Sequence, residues 1–371
     1  MGNEPKHLSL PLAELKRYPL RKRELLQAWD SADELLLQYV GNLELPNPRV
    51  LILNDAFGAL SCGLAELRPV SYTDSYLSYR SILLNSDQTL RPISVLDEVK
   101  GRFDLVLLRI PKNLAFFEDQ LFQLRRHVLT PQTRIICASM IKHLSTGSFE
   151  LLNRIVGPTT TSLAKKKARL IFSQAEVEVE QPPSPYPSHH RLDGFEHPFL
   201  HHSNLFSRDR LDIGTRFLLE HLPQGEYPRI LDLGCGNGIV GIRAQQLNPS
   251  SRLLFTDESQ MAVLSAQANF ARFFSEKTDV TFRWAHSCEE EPENSLDLVL
   301  CNPPFHQGTT VSDSIARQMF IDARRALCPG GRLRIVGNSH LHYPAILKQT
   351  FGNSTVVAKN TKFTIVDALK R

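Results

Sequence analysis

Seven short apolar runs, each separated from the next by at least a helix-length stretch, constrain the fold of this 371-residue chain more than any other feature. Val50-Leu51-Ile52-Leu53, Leu105-Val106-Leu107-Leu108 and Arg134-Ile135-Ile136-Cys137 lie in the first half. Arg229-Ile230-Leu231-Asp232, Leu253-Leu254-Phe255-Thr256, Leu298-Val299-Leu300-Cys301 and Leu333-Arg334-Ile335-Val336 lie in the second. A strand with one wet face alternates apolar and polar residues, whereas a strand covered on both faces is apolar almost throughout. The pattern predicts an α/β chain whose parallel sheets are covered by helices on both sides.

One stretch interrupts the rhythm. Glu176-Val177-Glu178-Val179-Glu180 alternates strictly, which suits an edge strand. Gln181-Pro182-Pro183-Ser184-Pro185-Tyr186-Pro187-Ser188 follows. Proline removes backbone donors and favours extended chain, so this reads as a linker. The expected division is a domain over 1–180, a Pro-rich linker over 181–195 and a second domain over 196–371.

The two halves resemble each other. Ile52-Leu53-Asn54-Asp55-Ala56-Phe57-Gly58 lies like Ile230-Leu231-Asp232-Leu233-Gly234-Cys235-Gly236. Tyr72-Thr73-Asp74-Ser75, with Asn85 downstream, lies like Phe255-Thr256-Asp257-Glu258, with Asn269 downstream. Asp104 to Lys112 lies like Asp297 to Phe305. Three matches in the same order predict two copies of one α/β domain.

Only the second copy carries a glycine-rich turn, Asp232-Leu233-Gly234-Cys235-Gly236-Asn237-Gly238, between a strand and a helical stretch. Glycines there let the backbone turn sharply and approach a ligand. A dinucleotide fold is the rival reading, but the spacing is G-x-G-x-G rather than G-x-G-x-x-G. The preceding Asp232 suits a cationic amino group, and S-adenosylmethionine (SAM) has no pyrophosphate to seat at the helix. Asp257, with Glu258 beside it, ends the next strand; alone it could be a helix cap, but with the glycine turn in place a carboxylate there accepts ribose hydroxyls.

Asn302-Pro303-Pro304-Phe305 follows the strand ending at Cys301. Prolines hold a side-chain amide oxygen and a backbone carbonyl toward a cleft, and the aromatic offers a platform for a flat base. Aryl amines are poor nucleophiles because their lone pair is delocalised. Two acceptors on the N–H groups aim it, so catalysis is largely orientation. The segment Asn204 to Thr215, with Phe206 and Asp212, suits either a cover over cofactor or base, or a loop and a capped helix.

Net charge is +4, with +3 of it in residues 1–180. That mild excess neither requires nor excludes a nucleic-acid partner. Lys165-Lys166-Lys167-Ala168-Arg169 is the one dense basic run, and Arg17, Arg21, Lys22 and Arg23 form a looser group. The first suits either a solvated face or phosphate contacts. The six cysteines are scattered without zinc spacing, so a cytoplasmic protein with reduced thiols and no metal is expected. No apolar stretch reaches the ~18 residues of a membrane span.

At Asp232 to Gly241, Asp257, Cys301 to His306, Leu205 to Arg208 and Asp212 to Gly214 the chain resembles the bacterial ribosomal RNA guanine-N2 methyltransferases. Leu51 to Cys62 and Gly157 to Thr161 are more similar to their large-subunit branch than to their small-subunit branch. The resemblance implies two tandem class I (Rossmann-like) methyltransferase domains, the first degenerate. It implies SAM-dependent N2 methylation of a guanine in 23S rRNA, at the nucleotide conventionally numbered 1835. Asp232, Gly234, Cys235, Gly236, Asn237, Gly238, Asp257, Glu258 and Phe206 would serve the cofactor, with Asn302 between cofactor and base. Asn302, Pro303, Pro304 and Phe305 would hold the guanine. An adenine contact stays unassigned, because Arg283-Trp284-Ala285-His286-Ser287 lacks the usual Asp or Asn. A 16S rRNA target, an adenine amine and a protein glutamine amide remain alternatives.

In the first half Ala56 and Ala59 intrude on the glycine turn, and Arg109-Ile110-Pro111-Lys112 stands in place of Asn-Pro-Pro-Phe. That half is expected neither to bind SAM nor to catalyse, but to grip RNA through Arg109, Lys112, Lys165, Lys166, Lys167 and Arg169. A monomer is expected.

Overall fold

The computed structural model describes residues 12–21, 23–176, 180, 182–205, 211–276, 279–304 and 310–371. It comprises two units, Met1–Tyr186 and Pro187–Arg371.

In the first unit, strands β1 (Val50–Leu53), β2 (Val70–Tyr72), β3 (Leu105–Arg109), β4 (Arg134–Met140), β5 (Thr159–Thr161) and β6 (Ala168–Gln174) form a sheet in the order β2-β1-β3-β4-β6-β5. The first four run parallel; β6 is antiparallel to β4, and β5 to β6. Helices α1 (Ser31–Gly41), α2 (Ala59–Gly63), α3 (Tyr76–Asn85), α4 (Leu114–His127) and α5 (Thr146–Ile155) connect and cover them. Every residue of β1 is buried, as its continuous apolar run requires. Val50, Ile52, Leu105, Leu107 and Ile136 face Leu36, Leu37 and Val40 of α1 in one core.

The second unit begins with a hairpin of β7 (Ser188–His190) and β8 (Phe199–His201). The stretch expected as linker over 181–195 therefore contains a strand. Of the expected edge strand over 176–180, residues 177–179 lie outside the described residues. The main sheet comprises β9 (Arg229–Leu233), β10 (Arg252–Asp257), β11 (Val280–Trp284), β12 (Leu296–Cys301), β13 (Leu327–Asn338), β14 (Thr355–Lys359) and β15 (Phe363–Leu369), in the order β11-β10-β9-β12-β13-β15-β14. Helices α6 (Ile213–Leu219), α7 (Ile239–Leu247), α8 (Gln260–Phe273), α9 (Thr310–Ala326) and α10 (Tyr343–Phe351) flank it. Alternate strand residues feed two cores: Leu231, Leu233, Val299 and Cys301 pack with Phe320 of α9, whereas Ile230, Phe255, Leu298 and Leu300 pack with Ile242 of α7 and Phe270 of α8.

Ranked by appearance, the second sheet runs third, second, first, fourth, fifth, seventh, sixth. The first sheet follows the same order without the third strand, which survives as a single parallel bridge from Tyr72 to Ile93. Local hydrogen bonds repeat as well. Arg49 N donates to Asp104 Oδ2 at 2.8 Å, and Arg229 N to Asp297 Oδ2 at 2.9 Å. Asn85 Nδ2 donates to the Lys16 and Phe57 carbonyls, both at 2.8 Å, while Asn269 Nδ2 donates to those of Leu200 and Asn237, both at 2.9 Å.

These bonds also correct the sequence pairing of the halves. Asn54 N donates to Tyr72 O as Gly234 N does to Thr256 O. Gly58 and Gly238 both cap the following helix in left-handed conformation, at φ 91° and 81°. Gly58 therefore matches Gly238, not Gly236, and Thr73, not Asp74, matches Asp257. Aligning glycine with glycine and aspartate with aspartate shifted the loops by two residues and one.

Candidate active site

In an open parallel sheet, ligands bind beyond the carboxyl ends of the strands where the strand order reverses. Here that point lies at β9, between β10 and β12. Gly234, Gly236 and Gly238 follow β9 at φ 71°, 53° and 81°, a region costly for residues with a side chain. A Cβ at Gly236 would meet nothing within 4 Å, and one at Gly234 only Met319 Cε at 3.6 Å. The turn thus leaves a cradle bounded by bare backbone. Gly238 serves packing instead, since its Cβ would lie 3.0 Å from Ala266 Cα.

Asp232 is 2% exposed near the end of β9, and its Oδ2 accepts from Gly241 N at 2.7 Å. Gly241 is itself dictated, because a Cβ there would stand 2.2 Å from Phe255 Cε1. Burial pushes the Asp232 carboxyl up to about 8; the Gly241 amide pulls it down, and the charge of Asp257 pushes it further up. Asp257 ends β10, accepting from Gly236 N and Ser259 N, both at 2.9 Å. The carboxylate is thereby fixed over the glycine turn.

The other expected cofactor positions differ in kind. Asn237 turns its side chain into the fold, with Nδ2 2.8 Å from His201 Nε2 and Oδ1 accepting from Ile239 N. The Cys235 thiol is buried, which pushes it well up. At these two positions only the backbone is left to face the cradle. The Glu258 carbonyl accepts from Trp284 Nε1 at 2.8 Å. In the loop after β11, where the adenine contact stayed unassigned, Ser287 sits at φ 56° with a buried hydroxyl that has no hydrogen-bond partner. Phe206 and Phe305 lie outside the described residues.

Leu233 and Cys301 are register partners, so Gly234 and Asn302 leave the sheet side by side. Asn302 Nδ2 donates to Thr215 Oγ1 at 2.8 Å and to Asp212 Oδ2 at 3.3 Å. Its Oδ1 is buried and has no hydrogen-bond partner. A buried acceptor left unmade costs about 1–3 kcal/mol, which a ligand N–H would relieve. Pro303 is buried beside it and Pro304 exposed. Asp212 is the N-cap of α6 and accepts from Thr215 N at 2.8 Å. Sequence reasoning gave Asp212 as a cover or a cap and missed Thr215; the signal was an Asp-x-x-Thr spacing at a helix start.

The same address in the first unit is closed. Arg109 takes the place of Asn302 and donates to Asp33 Oδ1, and to Asp30 Oδ2 at 2.8 Å. Asp30 is the N-cap of α1, as Asp212 is of α6. The expectation that Arg109 grips RNA is corrected: two internal carboxylates already hold its guanidinium. Asn54, in place of Gly234, fills the cradle position with a side chain. Its Nδ2 donates to Arg109 O and Gln120 Oε1, both at 2.9 Å. Thr73, in place of Asp257, keeps the bond to Ser75 N but brings no charge.

Lys112 is exposed after β3. The basic run forms the β5–β6 turn, with Lys166 and Lys167 both left-handed at φ 49° and 62°. Lys165 Nζ bonds Gln38 Oε1 and Lys166 Nζ bonds Glu34 Oε2, both at 2.8 Å, while Arg169 is half-buried. Among the described residues no His/Cys/Asp/Glu cluster is placed to hold a metal, and no helix is long and apolar enough to cross a membrane.

Two family models match the chain, one in each half. Residues 6–177 match the family described as RLMG N-terminal domain, and residues 196–367 that described as methyltransferase small domain. The chain is 45% identical over 368 residues to the ribosomal RNA large subunit methyltransferase G of Pectobacterium atrosepticum, covering 96% of each. It is 42% identical over 369 residues to that of Streptomyces coelicolor, covering 96% of this chain and 97% of the relative. Among solved structures, a T. thermophilus 16S rRNA N2 methyltransferase in complex with AdoMet and guanosine matches over 92% of both chains, with TM-score 0.76 and 23% identity, a likeness of fold. With relatives at this identity along nearly its whole length, the chain belongs to the ribosomal RNA large subunit methyltransferase G family.

Proposed function

We propose that the second unit methylates the exocyclic N2 amine of a guanine in large-subunit rRNA, using SAM. The observation that carries this is the buried, partnerless Oδ1 of Asn302 beside an open glycine cradle. When bound, SAM supplies a methyl group activated by a sulfonium. Gly234 and Gly236 would lie against it through bare backbone, Asp232 would face its ammonium group, and Asp257 with Glu258 its ribose. Ser287 Oγ is the candidate partner for the adenine.

Asn302 Oδ1 accepts one N–H of the guanine amine, and the Pro303 carbonyl accepts the other. The amine plane is thereby fixed and its lone pair directed. Phe305 would offer the aromatic platform for the base that the sequence motif implies. No strong base is needed, because the amine proton becomes acidic once nitrogen is alkylated and leaves to solvent. Orientation of this kind supplies several kcal/mol of the barrier.

The finer reading is a 23S rRNA target at the guanine conventionally numbered 1835, methylated in the cytoplasm by a monomer. The first unit grips RNA through Lys112 and the Lys165–Lys167 turn, and does not bind SAM. The test is incubation of the full chain with labelled SAM and protein-free 23S or 16S rRNA, followed by digestion to nucleosides. Label is expected in 2-methylguanosine from 23S rRNA. Label in 16S rRNA alone would overturn the target, and label in another nucleoside would overturn the chemistry.

A further inference from the structure

We infer that Asp212 and Thr215 are positioning residues for the transfer: they lock the Asn302 carboxamide with its nitrogen inward and its oxygen toward the substrate amine. The inference rests on the reaction proposed above.

A carboxamide is nearly symmetric in shape, and a half-turn exchanges a donor for an acceptor. An Asn302 turned the wrong way would present N–H groups to an incoming amine, donor against donor. The surroundings forbid that turn. The Asp212 carboxylate has only acceptors to offer, and its Oδ2 lies 3.3 Å from Asn302 Nδ2. Thr215 Oγ1 lies 3.3 Å from the same Asp212 oxygen and 2.8 Å from Asn302 Nδ2. Its single proton goes to the carboxylate, so its lone pair faces the amide. The chain runs one way, from Asn302 N–H to Thr215 hydroxyl to Asp212. Aligned donors of this kind also polarise the amide and strengthen Oδ1 as an acceptor.

The bracket is held from behind. Thr215 N fixes Asp212 at 2.8 Å. A Cβ at Gly214 would stand 3.0 Å from Asp212 Oδ2 and 2.9 Å from Phe363 Cε1, so glycine lets the carboxylate sit there. The first unit supplies a natural contrast. Asp30, Asp33 and Arg109 occupy the same three addresses and make the same two links, yet end in a closed ion pair. Each set carries one net negative charge. Threonine goes with asparagine and aspartate with arginine, as expected if the helix-start residue is chosen for what it holds.

The test uses the full chain in single-turnover methyl transfer, with SAM affinity by calorimetry. Thr215→Val removes the hydroxyl at constant shape and is expected to slow transfer about 10-fold, the worth of one net hydrogen bond, with SAM affinity and RNA KM within about twofold. Thr215→Ser is expected to recover most of the rate. Asp212→Asn keeps a capping oxygen but lets the amide turn, and is expected to slow transfer similarly. In an Asn302→Ala background, Thr215→Val is expected to add nothing. Full activity of Thr215→Val, or an equal further loss in the Asn302→Ala background, would overturn the positioning role. An unchanged rate for Asn302→Ala alone would instead overturn the reaction on which it rests. If Thr215→Val does not fold, Asp212→Asn decides alone by the same criteria.

Discussion

Replacing Arg109 by asparagine, the residue its counterpart carries, should destabilise the first unit severely, and Asp33→Thr should rescue it. Arg109 neutralises Asp33, which is 6% exposed, and also holds Asp30. Burial already pushes Asp33 up to about 6 against the pull of that guanidinium. Taking away one partner of a buried pair strands the other, at a cost of about 3–5 kcal/mol. For a unit of 186 residues that is roughly a 10 °C fall in melting temperature. Arg109→Asn with Asp33→Thr recreates the Asp212–Thr215–Asn302 arrangement, removes the buried carboxylate, leaves Asp30 partly exposed and bonded to the amides of residues 32 and 33, and should recover to within about 1 kcal/mol of the parent. Without arginine, the folded pKa of Asp33 rises further above its unfolded value. Such a group costs stability progressively as pH rises from about 4 toward the folded pKa, so the single variant's deficit should be smaller at pH 5 than at pH 8. Calorimetric melts of the full-length parent, both single variants and the double variant give the coupling energy. A single variant that melts with the parent, or a double variant showing the sum of the two losses, would refute the proposed kinship of the two triads.

Asn302→Ala should lower methyl transfer strongly, about 100-fold or more from lost orientation, while SAM affinity by calorimetry changes little. Asp232, raised to about 8 by burial, disfavours the ligand-free fold increasingly as pH climbs from about 4 to 8. A cationic ligand that needs its carboxylate releases a proton below pH 8, so SAM affinity should rise with pH and level off near 8. Titrations in buffers of different ionisation enthalpy would show that proton, and Asp232→Asn should abolish it. Replacing Lys166-Lys167 by Asn-Gly supplies the residues that a turn with two left-handed positions prefers. It should raise the first unit's stability by about 1 kcal/mol or more, while lowering the salt dependence of RNA binding in filter assays by about one to two phosphate contacts.

The strands and the glycine turn were legible because both follow from local rules: an apolar run for a buried strand, and φ above zero for glycine. The Asn302-Pro303-Pro304 motif was legible for the same reason, being carried by neighbouring residues. What escaped was set by contacts across long sequence separations. Arg109 reads as a free cation until α1 brings Asp30 and Asp33 to it, 79 and 76 residues away. Thr215 reads as an ordinary first-turn residue until β12 delivers Asn302, 87 residues on. The offset between the copies was hidden because the degenerate loop kept its hydrogen bonds while changing its residues. Thr73 still caps Ser75 N as Asp257 caps Ser259 N, yet identity matching passes over it in favour of Asp74.

That persistence explains how a fold can lose an active site without losing itself. The backbone bonds that shape the glycine turn and the helix-to-loop links at Asn85 and Asn269 stabilise either copy. The positions that would meet a ligand are under no such demand, and in the first unit three of them differ. Asn54 tolerates φ 63° because asparagine enters the left-handed region more readily than most residues with a side chain, and its amide, held by Arg109 O and Gln120, consumes the space left open at Gly234. Thr73 keeps a cap but gives up the charge. Arg109 puts guanidinium nitrogens held by Asp33 and Asp30 where the second unit has an open acceptor, although its buried Nε is left without a partner of its own. Each change is locally tolerable or favourable once the ligand is gone, so reverting any one alone leaves two obstacles standing. The second unit keeps its orphan oxygen at Asn302 against that pressure, which marks the position as one where binding outweighs stability.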